Sequence, residues 1–282
     1  MPADAASPPV AVRYGAHPAQ YYELHRPAGP GPRPVVVLIH GGFWRLPWDR
    51  TLMRPLAEDL VARGYAAVNL EYRRLGEDGG GWPGSCADVE VALRRLGEQG
   101  DDDHSLDLDA VALVGHSAGG HLALWVAHHT DLDVRLVVSQ AGVADLRAAV
   151  RDRLDEENGK PPAALEFMGA PPEEPRPDSD VYSAASPIEL LPLGRGVRQL
   201  VLHGDADNRV PQQQSLDYAR AAEAAGDDVR LVGFTGMGHF ELIDPAHESW
   251  QVTMAELAGV RRPPSARRGG GEGSPRRASD VP

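Results

Sequence analysis

An alternation restricts the fold of this chain more than any other feature. Short apolar, β-branched runs recur from near the start to residue 260, and most are separated by segments with helical spacing. The strand-like runs are Tyr21 to His25, Pro34 to His40, Tyr65 to Tyr72, Ala110 to Gly115, Val134 to Ser139, Gln199 to His203 and Val229 to Phe234. Between them Thr51 to Arg63 sets Leu52, Leu56 and Leu60 on one face and stops at Gly64. Asp88 to Leu96, Ser117 to His129, Gln212 to Ala225 and Ser249 to Val260 have the same character. Parallel strands need long crossovers, and amphipathic helices of about 10–15 residues supply them. The pattern therefore predicts an α/β fold: a mostly parallel sheet with helices on both faces. With 282 residues, 42% of them apolar, the chain can bury one such core.

Two regions break the rhythm. Residues 145–187 contain helical spacing mixed with Pro161-Pro162 and Pro171-Pro172-Glu173-Glu174-Pro175, and are expected to form a small cap over the sheet edge. This stretch is too rich in proline and charge for a lipid-facing lid. Residues 261–282, with Gly269-Gly270-Gly271 and six arginines, read as a disordered basic tail, and residues 1–10 as a flexible N-terminus. The folded domain is then expected to span residues 11–260.

Charge and cysteine content narrow the function. The net charge is −13; the tail carries +4, which leaves −17 on the rest. Such a body repels nucleic acid and anionic lipid at long range, so neither is an expected partner. A homodimer is left open. Cys86, the one cysteine, allows no internal disulfide and no cysteine-based zinc site. Lys160 is the one lysine, which confines any lysine nucleophile to that position. No apolar run is long enough to span a bilayer, and Met1 to Val10 lacks the basic start and apolar stretch of a secretory signal, so a cytoplasmic location is expected.

The chemistry-bearing residues sit at the ends of strand-like runs. Gly115-His116-Ser117-Ala118-Gly119 follows one strand and opens a helix. A serine in so tight a turn projects its hydroxyl, and the flanking glycines relieve crowding. A serine hydroxyl needs a general base. Of the eleven histidines, His239 lies in the loop after the last strand, within Gly236-Met237-Gly238-His239-Phe240. The base needs an acid to orient it. The loop after the preceding strand, His203-Gly204-Asp205-Ala206-Asp207, offers two, with Asp207 preferred and Asp205 the alternative. His40-Gly41-Gly42-Phe43-Trp44 follows the first core strand and can aim N–H groups at a developing oxyanion. Ala118 is one expected donor, and Gly42 with Phe43 supplies the other. These residues together read as the nucleophile, base, acid and oxyanion site of a serine hydrolase.

These segments resemble the α/β-hydrolase superfamily. Within it they are similar to the hormone-sensitive-lipase-like esterases and, more closely, to the kynurenine formamidase (arylformamidase) group. The resemblance also rests on Glu71-Tyr72-Arg73, Gly120-His121-Leu122-Ala123, Ala141-Gly142-Val143-Ala144-Asp145-Leu146 and Ala185-Ser186-Pro187, and covers about residues 14–260. It implies a sheet of about eight strands. It further implies hydrolysis of a small-molecule carboxylic ester or aryl N-formyl amide, with no cofactor. A broad carboxylesterase and a catalytically silent ligand-binding member of the fold are the alternatives; the serine at 117 disfavours the halide- and epoxide-opening members, whose nucleophile is an aspartate.

Further residues are candidate substrate contacts or polar anchors. Phe43 and Trp44 are candidates for an aromatic wall, and Trp82, after Gly79-Gly80-Gly81, for a pocket residue. His116 is also a candidate contact. Glu71 and Arg73 are expected to form a polar pair holding loops, and Cys86 to be a core residue. Asp101-Asp102-Asp103 reads as solvated acid rather than a cation site.

Overall fold

The computed structural model describes residues 8–156, 159–172 and 180–260. Eight strands form one sheet: β1 (Val10–Arg13), β2 (Tyr21–His25), β3 (Arg33–Ile39), β4 (Ala66–Leu70), β5 (Leu106–His116), β6 (Val134–Gln140), β7 (Arg198–Gly204) and β8 (Asp228–Phe234). Their order is β1-β2-β4-β3-β5-β6-β7-β8. β2 runs antiparallel to β1 and β4, and every other pairing is parallel. The helices are α1 (Arg54–Ala62), α2 (Gly84–Asp102), α3 (Ala118–His129), α4 (Leu146–Arg151), α5 (Ala163–Met168), α6 (Val181–Ala185), α7 (Gln213–Ala224) and α8 (Glu248–Val260).

Strand periodicity divides the core. In β3, Val35, Val37 and Ile39 face the layer formed by α2, α3, α7 and the 145–187 segment, while Val36 and Leu38 face α1 and α8. Both faces are covered, which is why these runs are uninterruptedly apolar. The loops leaving the carboxyl ends of β3, β5, β7 and β8 gather at one edge, where open α/β sheets bind ligands.

The structure corrects several boundaries. Residues 1–10 were expected to be flexible, yet Val10 begins β1, paired Val10↔Leu24 through Arg13↔Tyr21. Residues 1–7 lie outside the described residues, as do residues 261–282 of the tail. β1 is four residues long and mostly exposed, so its order comes from pairing with β2 rather than from a hydrophobic pattern. The Thr51 to Arg63 segment divides into a 3₁₀ turn, Arg50–Met53, capped by Asp49, and then α1, because Pro55 suits a first helical turn and not an interior. α2 begins at Gly84, a turn before Asp88. The Asp88 carboxylate binds the Arg73 guanidinium at 2.7 Å and the Gln20 amide at 2.7 Å.

The 145–187 segment is more deeply seated than a loose cap. Leu146, Ala149, Ala163 and Phe167 are buried in the main core. His121 Nε2 donates to the Ala185 carbonyl at 2.9 Å, and Trp125 Nε1 to that of Ala184 at 2.9 Å. Arg45, from the loop after β3, ties the segment down: it donates to Glu166 Oε2 (2.7 Å), Asp155 Oδ2 (2.6 Å) and the Pro161 carbonyl (2.8 Å). No helix among the described residues is long and apolar enough to cross a membrane.

Candidate active site

Ser117 stands between β5 and α3 with φ 57° and ψ −122°, a conformation that costs a non-glycine residue roughly 1–3 kcal/mol. Its neighbours must be small. A Cβ on Gly115 would lie 2.1 Å from the Gly119 carbonyl oxygen, and one on Gly119 2.0 Å from that of Ile39. The elbow is clamped by the Ser117 N–H donating to the Gln140 carbonyl at 2.8 Å. Ala118 opens α3, so its N–H is among those with no acceptor inside the helix and lies at the helix's positive end.

The loops after β7 and β8 bring Asp207 to His239, whose Nδ1–H donates to Asp207 Oδ2 at 2.6 Å. The other carboxylate oxygen accepts the N–H groups of Arg209 (2.8 Å) and Val210 (2.9 Å). His203 Nε2 lies 3.2 Å from Oδ2, while its Nδ1 accepts the Ser215 hydroxyl at 2.7 Å. Burial pushes the Asp207 pKa up. The hydrogen bonds from His203 and His239, the His239 charge and the Val210 N–H outweigh it, and hold the carboxyl well below the ordinary carboxylate range. Asp205 is exposed, and its Oδ1 accepts the Gly236 N–H at 2.6 Å. Of the two aspartates it is Asp207 that reaches His239, and Asp205 braces the loop that carries the histidine.

The loop after β3 is as tightly determined. Gly42 has φ 108°, and a Cβ there would lie 2.2 Å from that of Trp48. Phe43 and Trp44 follow at φ 50° and 57°, so three successive residues are left-handed. Beneath them His40 Nε2 meets Glu71 Oε1 at 3.0 Å, and the His40 ring stacks on Tyr72 with centroids 4.4 Å apart. Glu71 also accepts the N–H groups of Tyr72 (3.2 Å) and Arg50 (3.1 Å), and faces the Arg74 guanidinium at 3.5 Å. Burial works against its charge; the bond and charge of His40, then Arg74 and the Arg50 N–H, lower its pKa overall. The expected Glu71–Arg73 pair does not form. Both residues lie beyond the end of β4, in the segment that leaves the sheet, and Arg73 binds Asp88 instead.

Ser117, His239, Gly42 and Phe43 line one cleft of about 400 Å³, including its open mouth. Its other walls are Trp48, Leu52, His116, Phe240, Asp155 and Arg209. Two expected contacts lie elsewhere. Trp44 is 1% exposed and stacks on Phe167 with centroids 4.5 Å apart, because the left-handed turn at Phe43 sends the next side chain into the core. Trp82 packs edge-on against Trp125, away from the cleft. His116 lines the wall but is engaged: Nε2 donates to the His239 carbonyl at 3.0 Å, so it holds the histidine loop. Burial, and then repulsion from His239, lower its pKa to about 3.

Cys86 is a buried core thiol, and burial pushes its pKa up. Among the described residues no cluster could hold a metal ion. The sequence reading missed Trp48, Phe240, Asp155 and Arg209. Phe240 and Arg209 were within reach of it, being one and two residues beyond His239 and Asp207. Nothing in the local pattern marks Trp48 or Asp155.

Residues 23–221 match the BD-FAE family, and the chain belongs to it. It is similar to the esterase LipC of Mycobacterium tuberculosis, 26% identical over 83% of this chain and 60% of that protein. It is also similar to a kynurenine formamidase of Danio rerio, 23% identical over 83% of this chain and 75% of the relative. The chain thus spans three-fifths of the length of LipC. Among solved structures, esterase B from Lactobacillus rhamnosis superposes with a TM-score of 0.75 at 22% identity, covering 92% of this chain and 86% of that one. That likeness establishes the fold as the α/β-hydrolase architecture.

Proposed function

We propose that this BD-FAE family member is a serine hydrolase that cleaves a small carboxylic ester or an aryl N-formyl amide through an acyl-enzyme. The observation that carries the reading is the Asp207–His239 bond of 2.6 Å, in a cleft that also holds the strained Ser117. Asp207 keeps the proton on Nδ1 of His239, which leaves Nε2 to accept the Ser117 proton as Oγ attacks the acyl carbon. The carbonyl oxygen gains negative charge and is met by the N–H groups of Ala118 and Gly42, with Phe43 beside them. The imidazolium then protonates the departing alcohol or amine as its bond to the acyl carbon breaks. A water, deprotonated by His239, attacks the acyl-enzyme. Collapse of that adduct returns the proton to Ser117 and releases the acid.

The apolar walls of the cleft, Phe43, Leu52, Trp48 and Phe240, suit an aryl leaving group. This supports the kynurenine-formamidase-like version, as does the formamidase among the relatives. The deciding experiment compares kcat/KM for N-formyl-L-kynurenine and p-nitrophenyl acetate, with Ser117→Ala as the blank and a fluorophosphonate probe to label the serine. A preference for the formyl amide of about a hundredfold or more, roughly 2.7 kcal/mol of transition-state binding, supports a formamidase. Turnover of the activated ester alone makes the protein a carboxylesterase. A folded protein that neither labels nor turns over overturns the hydrolase reading and leaves the silent binder.

A further inference from the structure

Asp207 is held from two directions, and the hydrolytic steps use one of them. His239 meets its Oδ2 from the cleft. His203, near the end of β7, meets the same oxygen from the core, where its side chain is 0% exposed. Nε2 of His203 stands 2.9 Å from the Val210 carbonyl oxygen and 3.2 Å from Asp207 Oδ2. Both partners accept, so the ring proton resides on Nε2 and is shared between them, with the shorter bond to Val210. Nδ1 keeps its lone pair and accepts the Ser215 hydroxyl of α7 at 2.7 Å. Ser215 is buried too, so the tautomer is set inside the core.

The Nε2–H group thereby reaches both ends of the turn that carries the acid, Asp207 at its start and Val210 at its close. Within that turn Asp207 Oδ1 accepts the N–H groups of Arg209 and Val210 at 2.8 and 2.9 Å, which pins that oxygen. It does not pin the other. The torsion about Cβ–Cγ of an aspartate is broad, so a carboxylate fastened through one oxygen can still swing the second out of line. His203 supplies the missing restraint. With its N–H and that of His239 on Oδ2, each oxygen of Asp207 faces two N–H groups, which fills the lone-pair sites of an ionised carboxylate. A buried carboxylate stays charged when it is hydrogen-bonded this fully.

We propose that His203 is a positioning residue of the hydrolytic site, whose Nε2–H fastens the Val210 carbonyl and Asp207 Oδ2 so that the carboxylate faces His239 Nδ1. It lies too deep to touch a substrate and acts through Asp207. Two serine–histidine pairs then meet on one aspartate oxygen, Ser215 with His203 in the core and Ser117 with His239 at the cleft. The buried pair does no chemistry of its own; it holds the acid that the other pair uses. The proposal rests on the hydrolase reading for the reaction, and it adds what makes Asp207 a fixed acid. Plain packing by His203 is the competing account, and it needs the volume of the ring but not its N–H.

The test compares His203→Gln, whose amide nitrogen reaches the place of Nε2, with His203→Met, which fills a similar volume without a donor. His203→Asn, whose amide nitrogen stops at the place of Nδ1, replaces His203→Met if that variant fails to fold. kcat and KM are measured for p-nitrophenyl acetate per fluorophosphonate-labelled site. Proton NMR follows the His239 Nδ1–H, assigned by its loss in Asp207→Ala. His203→Met should lower kcat about tenfold or more with KM within about twofold, as expected when one hydrogen bond to a charged group is lost. His203→Gln should keep about a third or more of the wild-type kcat. The Nδ1–H resonance should stay in place in His203→Gln and shift or broaden in His203→Met. In an Asp207→Ala background His203→Met should cost less than about twofold more, because the effect passes through that carboxylate. Wild-type kcat in a folded His203→Met, equal losses in the Gln and Met variants, or a full further loss in Asp207→Ala each overturns the proposal and leaves the hydrolase reading standing. A resonance indifferent to His203 also overturns it. A wild type that shows the His203-dependent resonance but neither labels nor turns over supports the positioning and overturns the hydrolase reading.

Discussion

Asp207→Asn is the perturbation whose size follows most directly from the geometry. One carboxylate oxygen of Asp207 is already committed to the N–H groups of Arg209 and Val210. An asparagine keeps its carbonyl there, so its NH₂ falls where Oδ2 now meets His239 Nδ1 at 2.6 Å and His203 Nε2 at 3.2 Å. A donor in that position forces Nδ1 of His239 to accept, which moves the ring proton to Nε2. The Nε2–H tautomer cannot take the Ser117 proton. The expected loss is about 10⁴ in kcat/KM, or about 5.5 kcal/mol added to the barrier. Asp205→Asn is the control. Its amide oxygen can still accept the Gly236 N–H, so the loss should stay within about fivefold, near 1 kcal/mol. The assay is p-nitrophenyl acetate hydrolysis at several pH values, with labelled active sites counted and circular dichroism confirming the fold. If Asp207→Asn keeps more than a tenth of the activity, or if Asp205→Asn is the more damaging, the tautomer argument is refuted.

Other outcomes follow from the same structure. His121 is fully buried, and burial, with only the Ala185 carbonyl bond opposing it, lowers its pKa from 6.5 to about 4. The neutral form is the one the fold favours, so stability is fully present above pH 6.5 and falls by about 1.4 kcal/mol per unit as the pH drops from there toward 4. His121→Gln should flatten the pH dependence of the urea midpoint between pH 6 and 5; an unchanged slope counts against this account. Glu71→Ala removes the carboxylate that His40, Arg50 and Arg74 share, and should cost about 3 kcal/mol in urea unfolding together with activity; a loss below 1 kcal/mol would mean the pair is weakly coupled to the fold. Ser117→Gly should abolish turnover yet raise stability by about 1 kcal/mol by releasing the left-handed strain, and calorimetry showing a lower melting temperature would contradict that.

Much of this protein was legible in the order of its residues. Val35 to Ile39 and Ala110 to Gly115 are apolar without alternation because they are buried on both faces, and only a parallel sheet with two covered faces does that. The elbow at Ser117, the glycines at 41 and 42 and the histidine after the last strand are local chemistry. Each needs a particular residue type at one turn, so each is visible in a few letters of sequence. What depends on contacts across the chain was not visible there. Whether Asp205 or Asp207 serves His239 depends on how two loops 30 residues apart meet. Trp44 looked like a cleft residue until the turn at Phe43 sent it against Phe167, 123 positions away. Trp48 and Asp155 carry no local mark, and the meeting of Asp155 with Arg209 is set by Arg45 reaching 110 residues along the chain. Periodicity and turn chemistry report the interactions a residue makes with its sequence neighbours and with water. Side-chain partners are decided when the strands close into a sheet, and for that reason the walls of the cleft belong to the tertiary structure.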